Sequence, residues 1–206
     1  VSMGQDVVVA LGIALVVVLV LTLALTALWP RAVRIDRAHL AVLAARRTLE
    51  AQLDRRAAAT RSLVATGVLD PSAAVLLADV AHRAADGAVE PVVDDGLDGP
   101  RPGGDDAPTG ASRTLTESEL SRTLRAVLDT EVRDDLAADP RSRAALGELD
   151  SAWYRVEVAR RFHDTRVVQA RQARAGWAAR TFHLAGRAPV PRTADMDTDH
   201  VEGAGA

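Results

Sequence analysis

The fold is decided by the stretch Val7–Leu28, which reads VVVALGIALVVVLVLTLALTAL. It carries no charge and no proline, and its only interruptions are Gly12, Thr22 and Thr26. A helix of this length crosses the roughly 30 Å hydrocarbon core of a bilayer. Because no water inside that core can bond the backbone, a spanning segment must be helical. Residues 1–30 are therefore predicted to form an N-terminal transmembrane anchor.

A cleaved signal peptide is the alternative interpretation of this stretch. Such a peptide has a basic start, a shorter apolar core and small residues ahead of its cleavage site. The leader VSMGQD has no Arg or Lys, and the exit Ala27-Leu28-Trp29-Pro30 is a poor cleavage site. These features favour a retained anchor, with the Trp29 ring at the membrane–water boundary.

Basic residues near the anchor predict its orientation. Before the apolar stretch only Asp6 and the α-amino group carry charge, whereas Arg31, Arg34 and Arg37 follow it closely. Cytoplasmic flanks of membrane helices are enriched in Lys and Arg. We therefore expect a single-pass protein of the plasma membrane, with the N-terminus outside and the rest of the chain in the cytoplasm.

The sequence contains neither Cys nor Lys, and each of these absences excludes a class of chemistry. The sequence has no Cys, which excludes disulfides, a Cys nucleophile and Cys-ligated zinc or iron–sulfur sites. All 25 basic side chains are Arg, so Schiff-base chemistry and the Lys of a phosphate-binding loop are excluded as well. The abundance of Ala favours long helices with narrow apolar seams.

Residues 31–86 have the pattern of a helical hairpin. Apolar positions recur every three or four residues, which places them on one face of the first helix. These positions are Leu49, Leu53, Ala57, Thr60 and Val64. Gly67 suits the end of that helix, and Asp70-Pro71 suits the start of a second one that runs to about Ala85. Its inward side chains are expected to be Leu76, Leu77, Val80 and Ala84.

Residues 87–113 differ from the helical segments. Between Asp86 and Asp106 seven acidic residues stand against one Arg, among many Gly and Pro. Too few apolar side chains are present to offset the entropy of ordering such a segment. We therefore expect a disordered acidic linker. A calcium loop is the alternative, although DDGLDG lacks the alternating ligand spacing of an EF-hand.

Residues 114–186 are expected to form a second helical hairpin, followed by a flexible tail over 187–206. Thr116 and Glu119 match a capping box at the start of one helix, and Asp139-Pro140 separates it from the last helix, which extends to about Leu184. The expected inward positions are Leu120, Leu124, Val127, Leu128, Leu136, Leu146, Leu149, Trp153, Val156, Ala159, Val167, Ala170 and Trp177. The sequence thus predicts an all-α protein, in which a single transmembrane helix precedes an elongated antiparallel bundle of three to four long helices with an acidic insert.

Three segments carry a resemblance to a known family. Gln52–Ala57 followed by Leu63-Val64 is similar to a QLxRRxxLxxxLV core, Glu117–Leu128 to an E-x-x-L-s-x-x-L segment, and Val156–Asp164 to an I-x-x-A-R-R-[FY]-[YHN]-[DN] hallmark. Occurring in this order behind an N-terminal anchor, they resemble the LemA family across most of residues 1–185. The resemblance implies an antiparallel helical bundle on a membrane stalk, and it brings no known catalytic residues.

The run Arg160–Asp164 is the most distinctive cluster of polar side chains. A catalytic His–Asp pair is one interpretation, but neighbouring residues on a helix project about 100° apart and no nucleophile accompanies them. In the structural interpretation Phe162 packs, Arg160 and Arg161 pair with acids of neighbouring helices, and His163 is exposed or partly buried. We favour the structural interpretation.

Arg55 and Arg56 form a second basic cluster. Asp54 and Glu50 lie close to them on the same predicted helix. Exposed ion pairs of this kind typically contribute well under 1 kcal/mol each. We therefore expect these pairs to set helix register more than to supply stability.

The last predicted helix is strongly basic, with eight Arg against two acids between Arg155 and Arg187. A solvated face, contact with an anionic membrane surface and nucleic-acid binding are three interpretations. In an up-and-down bundle this helix returns toward the membrane, which would bring Arg174, Trp177 and Arg180 near anionic headgroups. The scarcity of aromatic residues argues against nucleic acid.

No constellation of residues indicates a chemical activity. The five His are scattered without i, i+4 spacing, so no metal and no other cofactor is expected. The leading hypothesis is a non-enzymatic membrane-anchored scaffold or adaptor. Its expected partners are the lipid bilayer and an unidentified membrane or cytoplasmic protein, without nucleic acid, and a homo-oligomer is a further possibility. An accessory subunit of a larger membrane enzyme or transporter complex is the alternative, and a hydrolase the third hypothesis. The candidate contact residues are Arg55, Arg56, Arg160, Arg161, Arg174, Trp177 and Arg180.

Overall fold

A computed structural model of the chain describes residues 2–93, 110–175 and 190–198. Side chains are described from Leu11 onward within these ranges, apart from those of Ala24, Ala27, Leu28, Pro30, Arg31, Ala32, Gly110 and Ala111. The helices are α1 (Ser2–Val64), α2 (Pro71–Asp86), α3 (Gly110–Val127), α4 (Thr130–Ala138) and α5 (Pro140–Ala175), with a short 3-10 helix at Gly87–Val89. These three ranges contain no strand, so the prediction of an all-α fold is confirmed for them.

The first helix, α1, is 63 residues long, about 95 Å. It continues through Pro30, so the expected anchor and the first helix of the bundle are one element. The described side chains from Leu11 to Leu23 are all exposed, whereas burial along one side begins at Ile35. In the part of the chain that the structure describes, no helix is both long enough and apolar enough to cross a membrane. Some side chains of the expected anchor lie outside those that the structure describes, namely residues 1–10, Ala24, Ala27, Leu28 and Pro30.

The second half of α1 packs antiparallel against α5. Leu63 shares an apolar cluster with Leu146, and Val42 packs with Val167 and Ala170. Around these two long helices, α2 packs on α1 and α3, and α4 packs on α5. Most of the side chains expected to face inward are buried, but Leu76 is 48% exposed. The main core contains Ala57, Leu63, Leu77, Val80, Leu120, Leu124, Leu128, Leu136, Leu149 and Trp153, among others.

The predicted boundaries around α2 and before α5 are confirmed. Gly67 has φ +72°, a conformation that glycine adopts without steric cost. The Asp70 carboxylate accepts from the backbone N–H of Ser72 at 2.9 Å, which satisfies a free donor in the first turn of α2. Asp139 precedes Pro140 and accepts from the backbone N–H of Ser142 at 3.3 Å.

Two predicted boundaries of the second hairpin are wrong. There is no capping box at Thr116, because α3 already begins at Gly110 and the Thr116 hydroxyl donates to the Ser112 carbonyl within the helix. The helix expected to continue to Asp139 is broken earlier. Asp129 accepts from the backbone N–H of Val132 at 2.9 Å and starts the separate helix α4.

The expected acidic linker is partly ordered. Val92 and Val93, which follow the 3-10 helix, are buried against Leu49 and Leu53 of α1. The N–H of Val92 donates to the Glu50 carboxylate at 3.0 Å. The described ends of the segment are therefore part of the bundle, because two adjacent valines bury apolar surface there. The acidic composition of residues 87–113 as a whole did not indicate this. Residues 94–109 lie outside the described residues.

Part of the expected flexible tail is packed as well. Residues 190–198, here named the C-terminal strap, have no regular secondary structure and lie along α5. Ala194 and Met196 are 1% and 4% exposed and share a cluster with Leu49 of α1 and Val156 of α5. These two apolar side chains, together with the polar contacts described below, order the strap.

Candidate functional site

A buried ion pair joins the first and third helices. The Arg56 guanidinium of α1 lies 2.9 Å from the Glu117 carboxylate of α3, and both side chains are almost fully shielded from solvent. Arg56 also donates to the Ser121 hydroxyl at 2.8 Å. On another side, the Arg56 guanidinium lies 5.9 Å from the centre of the Trp153 ring of α5. One side chain of α1 thus interacts with two other helices, α3 and α5.

A second buried arginine extends this network to the start of the acidic segment. Arg113 of α3 donates to the Asp54 carboxylate at 3.0 Å and to the Ala88 carbonyl at 3.2 Å. Its Nε lies 3.9 Å from Glu117. Because Arg113 reaches both α1 and the 3-10 helix, it fastens the chain after α2 to the bundle. The position of Arg113 in the expected linker gave no sign of this role.

Burial dominates the electrostatics of the pair. It raises the pKa of Glu117 above its ordinary value of 4.5, although the nearby Arg56 and Arg113 act in the opposite direction. Burial likewise lowers the pKa of Arg56, against the attraction of Glu117. Both directions reflect the cost of holding charge away from water. The pair specifies register, because any sliding of α3 along α1 would leave a buried charge without its partner.

The C-terminal strap is held mainly through its main chain. The Trp153 Nε1 donates to the Thr198 carbonyl at 3.0 Å. Arg160 Nε donates to the Ala194 carbonyl at 3.2 Å, and the Ala194 N–H donates to the Asp164 carboxylate at 3.2 Å. Helix α5 therefore bonds the strap through side chains that project from one of its faces.

Further contacts bind both ends of the strap. At its start, Arg171 donates to the Pro191 carbonyl at 2.9 Å. Near its end, Asp197 pairs with both terminal nitrogens of Arg125, one of them at 2.9 Å. The Asp197 N–H donates to the Ser118 hydroxyl of α3 at 3.0 Å. The strap thus lies between α3 and α5, with its carboxylate on a basic side chain.

The sequence-predicted contact residues fall into different environments. Arg55 is exposed and bonds only weakly to Gln52, at 3.4 Å. Arg56 was expected in an exposed pair on its own helix, but it is buried and its partner is on α3. That expectation is wrong because only the fold brings Glu117 to α1. Neither residue lies near a described cavity that could admit a substrate.

The predictions for the Arg160–Asp164 run are partly wrong. Phe162 is 48% exposed and His163 is fully buried, the reverse of what was expected. Arg161 pairs with Glu157 of its own helix, and Arg160 bonds the strap. The His163 Nδ1 lies 3.4 Å from the Asp164 carboxylate, and no nucleophilic side chain contacts its Nε2 among the described residues. The arrangement therefore gives the His–Asp pair nothing to activate.

The remaining candidates lie at the end of α5. Arg174 Nη1 is 3.2 Å from His39 Nε2, which places this end of α5 beside the start of the buried part of α1, four residues after Ile35. Trp177 and Arg180 lie outside the described residues. Among the side chains that the structure describes, no group of three His, Cys, Asp or Glu is placed to hold a metal ion.

Comparison with known proteins finds no match for this chain among protein-family models, curated proteins or solved structures.

Proposed function

We propose that the protein is a membrane-anchored helical-bundle scaffold or adaptor of the LemA type, with its bundle in the cytoplasm and no catalytic activity of its own. The observation that carries the proposal is the change of surface along α1. Every described side chain from Leu11 to Leu23 is exposed, and most are large and apolar. Apolar side chains around the full circumference of a helix are unfavourable in water, but they are favourable in the hydrocarbon core of a bilayer.

In the proposed function, one continuous helix, α1, joins the anchor to the bundle. Because α1 passes without interruption from the apolar stretch to the core residue Ile35, its first half is a stalk for its second half. α5 returns along α1 as far as His39, so its basic end faces the stalk. Arg34 and Arg37, both exposed, add positive charge at the same level. This arrangement suits a bundle held against the anionic inner leaflet.

The positions of the LemA-like segments support a structural role for their shared residues. Arg56 of the first segment pairs with Glu117 of the second. Leu53 of the first segment packs in one cluster with Val156 and Ala159 of the third. Residues of the three LemA-like segments thus contact one another in the interior of the bundle. Such contacts are expected if the residues shared with the family stabilise the helical bundle.

An exposed ridge on α5 supports a scaffold role. Tyr154, Val158 and Phe162 are spaced by four residues and are 65%, 47% and 48% exposed. Aromatic residues are enriched at the centres of protein interfaces. In the proposed function this ridge, with the neighbouring Arg161, is a surface that partner proteins contact.

Extraction from membranes tests the anchor. The full chain should stay with membranes after an alkaline wash and leave them only in detergent. Replacing Leu15 and Leu19 together by Arg should release it, because each Arg near the centre of a membrane helix costs about 2.5–3.5 kcal/mol on the insertion scale.

Leu40→Arg is the matched control for that experiment. Leu40 is 58% exposed on the same helix but lies beyond the apolar stretch, so its substitution should leave the protein in the membrane fraction. Release of the unmodified chain by the alkaline wash, or equal membrane retention of the Leu15 and Leu19 double variant, would rule out the anchor.

A further inference from the structure

The groove beneath the C-terminal strap has the chemistry of a peptide-binding site. Side chains of α3 and α5 bond five main-chain groups of the strap, three carbonyls and two N–H groups. Main-chain bonding of this kind fixes an extended conformation and is independent of the side chains that the peptide carries. Most hydrogen bonds in the groove could therefore form with the main chain of any extended segment.

The spacing of the α5 side chains matches an extended peptide. Trp153, Arg160, Asp164 and Arg171 follow one another at intervals of seven, four and seven residues, close to whole turns, so they share one face. The strap runs antiparallel to α5, from Pro191 beside Arg171 to Thr198 beside Trp153. Seven extended steps cover about 23 Å, and the eighteen helical steps opposite cover about 27 Å.

Two features of the groove select among extended segments. An apolar floor encloses Ala194 and Met196. Beside that floor Arg125 of α3 pairs with Asp197. Along α5, Arg171 adds positive charge, whereas Arg160 lies 3.8 Å from the Asp164 carboxylate. The preferred segment therefore has an apolar side chain directly followed by an acidic one, with a small residue two positions before the apolar one.

We propose that this groove binds an extended acidic segment of a partner protein, and that the C-terminal strap occupies it as an intramolecular competitor. The inference deepens the proposed scaffold function and rests on it for the nature of the partner. A tethered competitor lowers the apparent affinity for a free segment, because the groove is available for only a fraction of the time. Binding of the partner thus requires the strap to leave.

A labelled synthetic peptide, VPRTADMDT, with the sequence of residues 190–198, is the probe. It is titrated by fluorescence anisotropy into the detergent-solubilised full chain. Combining Met196→Ala with Asp197→Ala in the chain weakens the strap, so the peptide should bind about tenfold or more tightly than to the unmodified chain. Asp195→Ala is the matched control, since Asp195 is an exposed acid of the same segment, and it should leave peptide affinity unchanged.

A second substitution tests the groove itself. In the strap-weakened chain, Arg125→Ala should reduce peptide affinity about tenfold, whereas Arg122→Ala on the exposed side of the same helix should not. Absence of peptide binding to the strap-weakened chain, or binding that is insensitive to Arg125→Ala, overturns the proposal.

Light scattering of the same samples separates a second copy from a partner protein. We expect no dimer in which the strap of one copy occupies the groove of another. A dimer of the unmodified chain that dissociates on Asp197→Ala would assign the groove to the strap of a second copy and overturn its assignment to a partner protein. Because these measurements use solubilised protein, failure of the membrane anchor in the extraction experiment leaves their result unaffected.

Discussion

The Arg56 guanidinium and the Glu117 carboxylate are 61 residues apart in the chain and 2.9 Å apart in the bundle. Removal of one partner leaves the other as an uncompensated charge in the apolar interior, which typically costs about 3–5 kcal/mol. Glu117→Ala should therefore lower the free energy of unfolding in urea by about that amount.

Glu119→Ala is the control for this prediction. Glu119 lies on the same helix and pairs with Arg83, but both side chains are nearly half exposed, and exposed pairs contribute about 0–1 kcal/mol. Similar losses for the two variants would contradict a special contribution of the buried pair. Replacing both partners, as Arg56→Met with Glu117→Leu, should recover much of the stability lost in Glu117→Ala, because no charge is then left unpaired.

The raised pKa of Glu117 predicts a pH dependence of defined sign. The folded state holds this proton more tightly than the unfolded state, so the contribution to stability is present below the ordinary value of 4.5 and is lost as pH rises through the raised pKa. Unfolding in urea at a series of pH values should show this decline in the unmodified protein. Glu117→Gln has no carboxyl to titrate, so its profile should lack the decline; an unchanged profile would refute the assignment.

Asp70 should give the opposite pH dependence. Hydrogen bonds from the Ser72 hydroxyl and from the N–H groups of Ser72 and Ala73 lower the pKa of Asp70 from its ordinary value of 3.8. Its contribution is therefore present above that value and is lost as pH falls through the lowered pKa. Acid unfolding should be less steep in Asp70→Asn, and Ser72→Ala should reduce the effect because it removes the largest cause. Identical acid unfolding of all three proteins would exclude this role.

The absence of Cys from the sequence allows the orientation to be measured directly. Ser62→Cys places a thiol on an exposed position of the bundle, and Ser2→Cys places one before the apolar stretch. In intact cells a membrane-impermeant maleimide should label the Ser2→Cys protein only. Lysis should make the Ser62→Cys protein reactive as well. Labelling of Ser62→Cys before lysis would reverse the proposed orientation.

The helical pattern of the bundle could be predicted from the sequence because it is local. The three-or-four spacing of Leu49, Leu53 and Ala57 identifies a buried face, and Asp70-Pro71 identifies a helix start, without reference to any distant residue. The extra helix start at Asp129 could have been found by the same rule, since an Asp there precedes a Thr, a Glu and a Val.

The contacts of the candidate site could not be predicted from the sequence, because its residues are of types that are usually exposed to solvent. Arg56 and Arg113 belong to a residue type that usually lies at the surface. Only the fold brings Glu117 of α3 to Arg56 of α1, and Asp54 of α1 to Arg113 of α3. The strap has one Met and one Ala as its buried anchors, too few to mark it as part of a core. The burial of His163 likewise has no local signal in the sequence.

The antiparallel pairing of α1 with α5 also determines the order in which the chain can become compact. Arg174 and His39 are in contact although 135 residues separate them, and such distant contacts form only after a large loop has closed. During synthesis α1 emerges long before the helix that covers its apolar face. An incomplete chain that ends before α5 therefore exposes this face, and we infer that nascent or truncated chains are the aggregation-prone forms of this protein.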